Sequence, residues 1–228
     1  LNVQKYAVCY STELTSNWNE FYQYQVKGKI RADSRRQKKR LGEFGKLQFL
    51  IAKSPEEIKL LTDKMIDQKR RRYEETNVAD MFADNLFREF YHRVAEKMVP
   101  NGNIHLSALK VGDTFLAIHL GLVSKQRFYY LMPTFEGGAW RKFSAGRLLM
   151  EYLIEWCIQN EIRTFDFTIG AESYKQDWCN QSMDIYEYLQ AKSAKGILYV
   201  FLQKVKRKAL QSTKMIEFAG RVKAVFSQ

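Results

Sequence analysis

The chain has 228 residues, 46% of them hydrophobic and 27% charged, with 12 Gly and 3 Pro; this balance excludes disorder and low complexity and allows one large domain or two small lobes with a proper core. Net charge is +12 and the sequence pI is about 9.5, an excess that attracts nucleic acid, acidic lipid or phosphorylated substrates without requiring any of them. No apolar run is long enough to cross a bilayer and no secretory signal opens the chain, while Cys9, Cys157 and Cys179, odd in number and without a CxxC, fit a reducing cytosol better than a disulfide frame or a zinc site.

Residues 1–30 are rich in aromatics (Tyr6, Tyr10, Trp18, Phe21, Tyr22, Tyr24) and predict an opening strand followed by a helix around Trp18 to Lys27. The first residue is Leu, which points to a piece excised from a longer protein. Residues 31–40 set Arg31, Arg35, Arg36, Lys38, Lys39 and Arg40 against Asp33. This is either a solvated helical face or a docking surface for phosphate-bearing partners. Gly45 to Ala52 reads as a short strand. Ser54, Pro55 and Glu57 then supply an N-cap, a proline in the first turn and a capping-box acid. Behind them Ile58, Leu61 and Met65 keep helical spacing, and the helix is expected to end near Arg70-Arg71-Arg72. A second helix is expected from Asp80 to Met98, with Phe82, Leu86, Phe90 and Val94 on one stripe and His92 on the surface.

After the turn Pro100 to Asn103, three strands follow: Ile104–Lys110, Thr114–Val123 and Arg127–Phe135. A helix opens at Ser144, its N-cap candidate. Leu148, Leu149, Tyr152, Leu153, Trp156 and Cys157 take one side, and Glu151, Glu155 and Gln159 the other. Thr164–Thr168 and Asp184–Gln190 read as further strands. Gly196 to about Lys223 reads as a basic amphipathic helical tail carrying Lys204, Lys206, Arg207 and Lys208. This order predicts an α+β fold, a mixed and mostly antiparallel twisted sheet flanked by helices, with one crossover through the Ser144 helix.

A strand, a loop and a helix start form an anion site from backbone alone, because first-turn N–H groups lack helical partners and the dipole favours negative charge. Gly146 lets a bulky phosphate approach there. On Thr164–Ile169, alternation puts Phe165, Phe167 and Ile169 on one face and Asp166 and Thr168 on the other, toward a polar cleft or water. Asp166 is then a general base, an orienter of Lys175, or a carboxylate that ties down neighbouring N–H groups. Tyr174 is an acid toward a leaving group, or packs against Trp178, itself expected as a cleft wall. His119, across its strand from Leu116, Ile118, Leu120 and Leu122, is a base or a core histidine. His105 is a weaker counterpart. Glu136 is the best alternative base. Three His without ligand spacing argue against a catalytic metal.

The helix pair with Gln68-Lys69-Arg70-Arg71-Arg72-Tyr73, the loop into the Ser144 helix, and Phe165-Asp166-Phe167-Thr168-Ile169-Gly170 followed by Tyr174-Lys175 and Trp178 resemble the GNAT acyltransferase superfamily, in the branch that groups CelD-type with Fem-type proteins. The resemblance covers residues 30 to 190. It implies a GNAT-like domain over 31–190, a separate basic tail over 191–228, and in residues 1–30 the remnant of an upstream lobe. It also implies an acyltransferase working by direct attack, from acyl-CoA to an amine or hydroxyl acceptor such as a cell-envelope or polysaccharide precursor.

In that family a Q/R-x-x-G-x-G/A loop holds the coenzyme A pyrophosphate. Here the loop is Arg141-Lys142-Phe143-Ser144-Ala145-Gly146, followed by Arg147, with Ser at the first Gly position. Fem-type relatives take aminoacyl-tRNA instead, and a degenerate member would bind without catalysing. The resemblance further implies free backbone groups for the donor arm near Leu131, Met132 and Thr134, around Pro133, and a phosphate-neutralising cation at Lys175 where an idle surface lysine is the alternative. In the aminoacyl-tRNA reading, the basic run 31–40 and the tail would serve tRNA or an anionic membrane surface. The chain would then work in the cytoplasm or at the inner face of the membrane.

Overall fold

The computed structural model describes residues 3–170 and 172–205. β1 (Val3–Glu13) leads to α1 (Trp18–Tyr24), α2 (Gly28–Gly42), β2 (Leu47–Ile51), α3 (Pro55–Glu75) and α4 (Asn85–Met98). β3 (Ile104–Val111), β4 (Thr114–Ser124) and β5 (Arg127–Phe135) form a meander, and α5 (Ala145–Gln159) crosses to β6 (Thr164–Ile169) before β7 (Gln181–Tyr188). The sheet order is β2-β3-β4-β5-β6-β1-β7. β5 and β6 run parallel, while β2–β3, β3–β4, β4–β5 and β1–β6 are antiparallel. The architecture is the expected α+β, GNAT-like arrangement of a mostly antiparallel twisted open sheet flanked by helices.

Two compact units divide the chain, one spanning Val8–Met183 and the other joining the first seven residues to the chain from Asp184 onward. In the smaller unit, Gln4 donates to Glu187 at 2.6 Å and Lys5 pairs with Asp184 at 2.6 Å; residues 194–205 are helical. Lys206, Arg207 and Lys208 of the expected tail lie outside the described residues, as does Ala171.

In the larger unit the sheet sits between two helix layers. On one face Ile58, Leu61, Met65 and Phe82 pack on Leu106, Ile118 and Leu120. On the other, Leu148, Leu153 and Cys157 pack on Phe128, Leu109 and Phe165. Phe21 and Val26, from the stretch read as an upstream remnant, lie in this second core, and β1 pairs with β6 from Cys9 to Glu13.

The local codes explain most element ends. Ser54 Oγ accepts from Glu57 N at 3.2 Å and Glu57 Oε2 accepts from Ser54 N at 3.1 Å. This closes the expected capping box, a cap worth roughly 1 kcal/mol. α3 continues past the arginine triplet to Glu75, since nothing in Arg70-Arg71-Arg72 breaks a helix.

The expected Asp80–Met98 helix is instead two pieces. Asp80 caps a 3-10 turn through Phe82 N at 2.9 Å, and Asp84 caps α4 through Leu86 N at 2.9 Å; two carboxylates so close in sequence start two helices rather than one. The break at Asp84 ends the single stripe expected from Phe82, and Leu86 and Phe90 are 71% and 56% exposed. His92 is half-buried and lies 3.1 Å from Asp63.

Glu151, expected on the solvent side of α5, is buried because α1 and α2 cover that side. Ser34 donates to its Oε1, and Lys38 Nζ lies 3.1 Å from Oε2. In β4, Leu116 joins the α5-side core while Ile118 and Leu120 face α3. A register shift against β3 between Leu109 and Lys110 breaks the alternation expected from Leu116 to Leu122.

Candidate active site

β5 pairs with β6 only from Arg127 to Tyr129. Beyond that point the two strands part, and three residues explain why. Gly121 opposes a β-bulge at Tyr130–Leu131, where the register with β4 slips between Leu120 and Leu122. A Cβ at Gly121 would lie 2.6 Å from His119 Cε1 and 2.9 Å from the Tyr129 carbonyl, so only Gly fits so close to the bulge. Pro133 has no N–H to offer a neighbour. On β6, Thr168 turns into the left-handed region at φ 60°, ending the strand's regular course.

Past the divergence lies a cavity of about 510 Å³. Tyr130, Pro133, Thr134 and Phe135 supply its β5 wall, and Gly146, Arg147 and Met150 its α5 wall. Gln68, Lys69 and Arg72 of α3 face it, as do Ile30 and the segment carrying Glu172, Tyr174, Asp177 and Trp178. A second cavity of about 250 Å³ adjoins the first through Phe135, Gly146 and Arg147. It is lined by Glu136, Trp140, Arg141 and Ser144–Arg147 at the start of α5.

The helix start expected to hold an anion thus opens beside the parted strand. Ser144 occupies the N-cap position but makes no side-chain cap, and its backbone is left-handed at φ 54°. That conformation favours glycine and gives a physical reason for Gly at this place in the family loop. At Gly146 a Cβ would come 3.4 Å from Phe135 Cδ1, in the neck shared by the two cavities.

Charge around the large cavity is mixed. Burial pushes the Lys69 amine below its ordinary pKa, and among the described residues no carboxylate pairs with it. Arg72 stacks over Phe135 at 5.9 Å, and Arg147 pairs with Asp33. Burial raises the Glu172 carboxyl, but its own backbone N–H and Lys175 outweigh that and leave it lowered overall. Burial, with Glu172 and Cys179 nearby, pushes the Tyr174 phenol up to about 12, so it keeps its proton at neutral pH. Lys27 holds Asp177 at 2.6 Å.

Of the expected site residues, Thr134, Gly146, Arg147 and Tyr174 meet at the large cavity, and Ser144, Ala145, Gly146, Arg147, Arg141 and Glu136 at the small one. Trp178 is 4% exposed and forms a wall, as expected. Glu136 is tied to Arg71 and accepts from Gly137 N at 3.0 Å. Arg141 is half exposed, 3.9 Å from Glu75. Leu131 is exposed, and Met132 packs toward the α3 core.

Three others, like Leu131 and Met132, line neither cavity. Asp166 is buried, accepting from Arg127 at 2.9 Å, Thr168 N at 2.8 Å and the Cys9 thiol at 3.3 Å. Lys175 is 2% exposed, donates to the Ile169 carbonyl at 3.0 Å and pairs with Glu172 at 3.0 Å. The face carrying Asp166 is packed rather than open, and Ile169, expected beside Phe165 and Phe167, is exposed because the turn at Thr168 ends the alternation. His119 is fully buried, stacked on Tyr130 at 4.3 Å, with no polar partner for either ring nitrogen.

Gln68, Lys69 and Arg72 join the site beyond the residues expected from the sequence. Their signal was present, for the stripe Ile58, Leu61, Met65 continues at the same helical spacing into these polar side chains, where the face leaves the core and borders the cavity. Among the described residues no group of three His, Cys, Asp or Glu side chains is placed to hold a metal ion.

Comparison with curated proteins returns no match. Among solved structures, FemX shares the fold with a TM-score of 0.59 at 10% identity, over 79% of this chain and 62% of that one. The C-terminal domain of a putative lysylphosphatidylglycerol synthetase from Agrobacterium fabrum gives 0.56 at 11%, over 87% and 64%. L-PGS from Bacillus licheniformis gives 0.56 at 11%, over 90% and 66%. The chain spans less than two thirds of these solved chains, and at such identity the likeness is one of fold. The Acetyltransferase (GNAT) domain family matches residues 28–176, well over half of the sequence. This chain belongs to the GNAT acetyltransferase-domain family.

Proposed function

We propose that the chain is an acyltransferase whose donor is an acyl-CoA and whose acceptor is an amine or hydroxyl, as on a cell-envelope or polysaccharide precursor. One observation carries this reading: the unpaired edge of β5 beyond Tyr129 opens on a cavity that runs into the start of α5. The first-turn amides around Ala145 and Gly146 would hold the donor's phosphates, with Arg147 and Arg141 adding charge. The free β5 edge at Leu131–Thr134 would hold the donor arm by backbone hydrogen bonds, so that the acyl carbonyl lies in the large cavity.

In the transfer, the acceptor nitrogen or oxygen attacks the acyl carbon, a new C–N or C–O bond forms, and the C–S bond breaks. Glu172, kept ionised, takes the acceptor's proton. Tyr174, kept protonated, gives one to the departing thiolate. Lys175 acts through Glu172 and the end of β6, and Asp166 through the backbone of Thr168. Positioning supplies most of the acceleration in such a direct transfer.

A second reading, with aminoacyl-tRNA as donor, is favoured by the depression next to the large cavity, which stays net positive: Lys27, Lys29, Arg36 and Arg147 line it with Asp33 and Asp177, which pair with all of these cations but Lys29. The two separate by binding. Saturating acetyl-CoA is expected to raise the melting temperature by roughly 5 °C through linkage, and Gly146→Val, which fills the neck against Phe135, to abolish that rise. Steeply salt-dependent tRNA binding without a coenzyme A response would move the donor assignment to tRNA. Neither response, from a folded chain, overturns the transferase reading in favour of a binding module.

A further inference from the structure

The helix over residues 194–205 exposes an apolar face that nothing in the transfer reaction uses. At 100° per residue, Ile197, Phe201, Val205, Leu198 and Leu202 fill one arc of about 140°. They are 64%, 60%, 49%, 58% and 55% exposed. The opposite side, through Gly196, Val200 and Gln203, is the half-buried one. A face this apolar on the surface of a small unit marks a docking site.

Charge selects its occupant. Lys195 and Lys204 fall at the two borders of the arc, one on each side, and Tyr199 lies just beyond Lys195. In sequence the helix is followed at once by Lys206, Arg207 and Lys208. An apolar arc with lysines along both margins and an aromatic at its border is the pattern of a helix lying in the plane of a lipid surface, its side chains among the acyl tails and its cations at the headgroups. A second copy suits the face poorly, because two such arcs set against each other would bring like-charged margins together. Spanning is a different matter: among the described residues no helix is long and apolar enough to cross a membrane.

We infer that the 194–205 helix is an interfacial docking element that binds bilayers rich in anionic lipid. The inference stands apart from the acyl-transfer reading and survives its failure.

The test uses the full 228-residue chain in flotation with vesicles of phosphatidylcholine alone or with about a third phosphatidylglycerol. Binding is expected to the anionic vesicles, to weaken with salt as exposed charges are screened, and to be much weaker on phosphatidylcholine. The double variant Ile197→Asp/Phe201→Asp, at exposed positions, is expected to cut affinity by about a hundredfold. Should that variant misfold, Phe201→Trp decides: vesicles of brominated anionic lipid are expected to quench the fluorescence that this tryptophan adds to that of the parent's four. Absence of binding, binding undiminished in the folded double variant, or an unquenched tryptophan would each overturn the inference. So would self-association of the chain that the double variant abolishes while anionic vesicles leave it unbound.

Discussion

At the scale of single residues, Ser144 shows how a backbone requirement outweighs a side-chain preference. Serine before a helix is expected to cap it through its hydroxyl, yet here the hydroxyl caps nothing and the backbone is left-handed. A non-glycine residue pays a steric cost of about 1 kcal/mol there, partly offset against glycine by the latter's greater freedom in the unfolded chain. Ser144→Gly is therefore expected to stabilise by about 0.5 kcal/mol, and Ser144→Val to destabilise by roughly 1–2 kcal/mol through its branched Cβ. Urea denaturation of the two variants measures both; a loss of stability in Ser144→Gly would mean that the hydroxyl does cap the helix. The same logic separates Asp166 and Lys175 from Tyr174. The first two spend their polar atoms on the backbone and ion pairs at the end of β6, and the third keeps a phenol toward the cavity.

At the scale of elements, α2 turns an apparent charge run into a scaffold. Arg31 donates to the Tyr22 carbonyl at 3.0 Å and to that of Val26 at 3.2 Å, fastening α1. Arg36 pairs with Asp33, Arg40 lies over Phe143 at 4.9 Å, and Lys38 neutralises buried Glu151. Removing the partner of a buried charge costs more than removing a surface charge. Lys38→Met is accordingly expected to cost roughly 2 kcal/mol, while Lys39→Met, on the exposed side, stays within about 0.5 kcal/mol. Equal effects in a thermal melt would show that Glu151 does not depend on Lys38.

The element also shows what a sequence can and cannot declare. Strand positions, the capping box at Ser54 and the helix after Ser144 were legible because each is written in local spacing. That Glu151 is buried, and that Lys69 and Arg72 border a cavity, depends on which second helix covers the face, and periodicity carries no record of the partner. The bulge at Tyr130–Leu131 was signalled only by Gly121, and a lone Gly in a strand has several meanings.

At the scale of the whole molecule, stability is coupled to pH through two histidines buried without partners. His105 sits among Phe49, Phe128 and Trp156, and His119 between Phe128 and Tyr130. Ser107, across from His119, is equally unpartnered. Burial lowers His105 from 6.5 to about 4. Burial, with His105 nearby, holds His119 well below the ordinary value. The unfolded chain therefore binds a proton at each site below about pH 6.5 while the folded chain binds none, so the unfolded state holds more protons and stability rises with pH. Stability is complete above the ordinary histidine value and is lost as pH falls toward 4. Each group contributes on the order of 1.4 kcal/mol per pH unit across that window, so acidification from neutrality to pH 5 costs the fold roughly 4 kcal/mol from the pair. Urea denaturation at intervals from pH 7.5 to 5 reads this slope. His105→Leu and His119→Leu are each expected to remove about half of the buried pair's contribution to that slope, and the double variant all of it. A double variant with the parent's slope would show that both rings find protons inside the folded core.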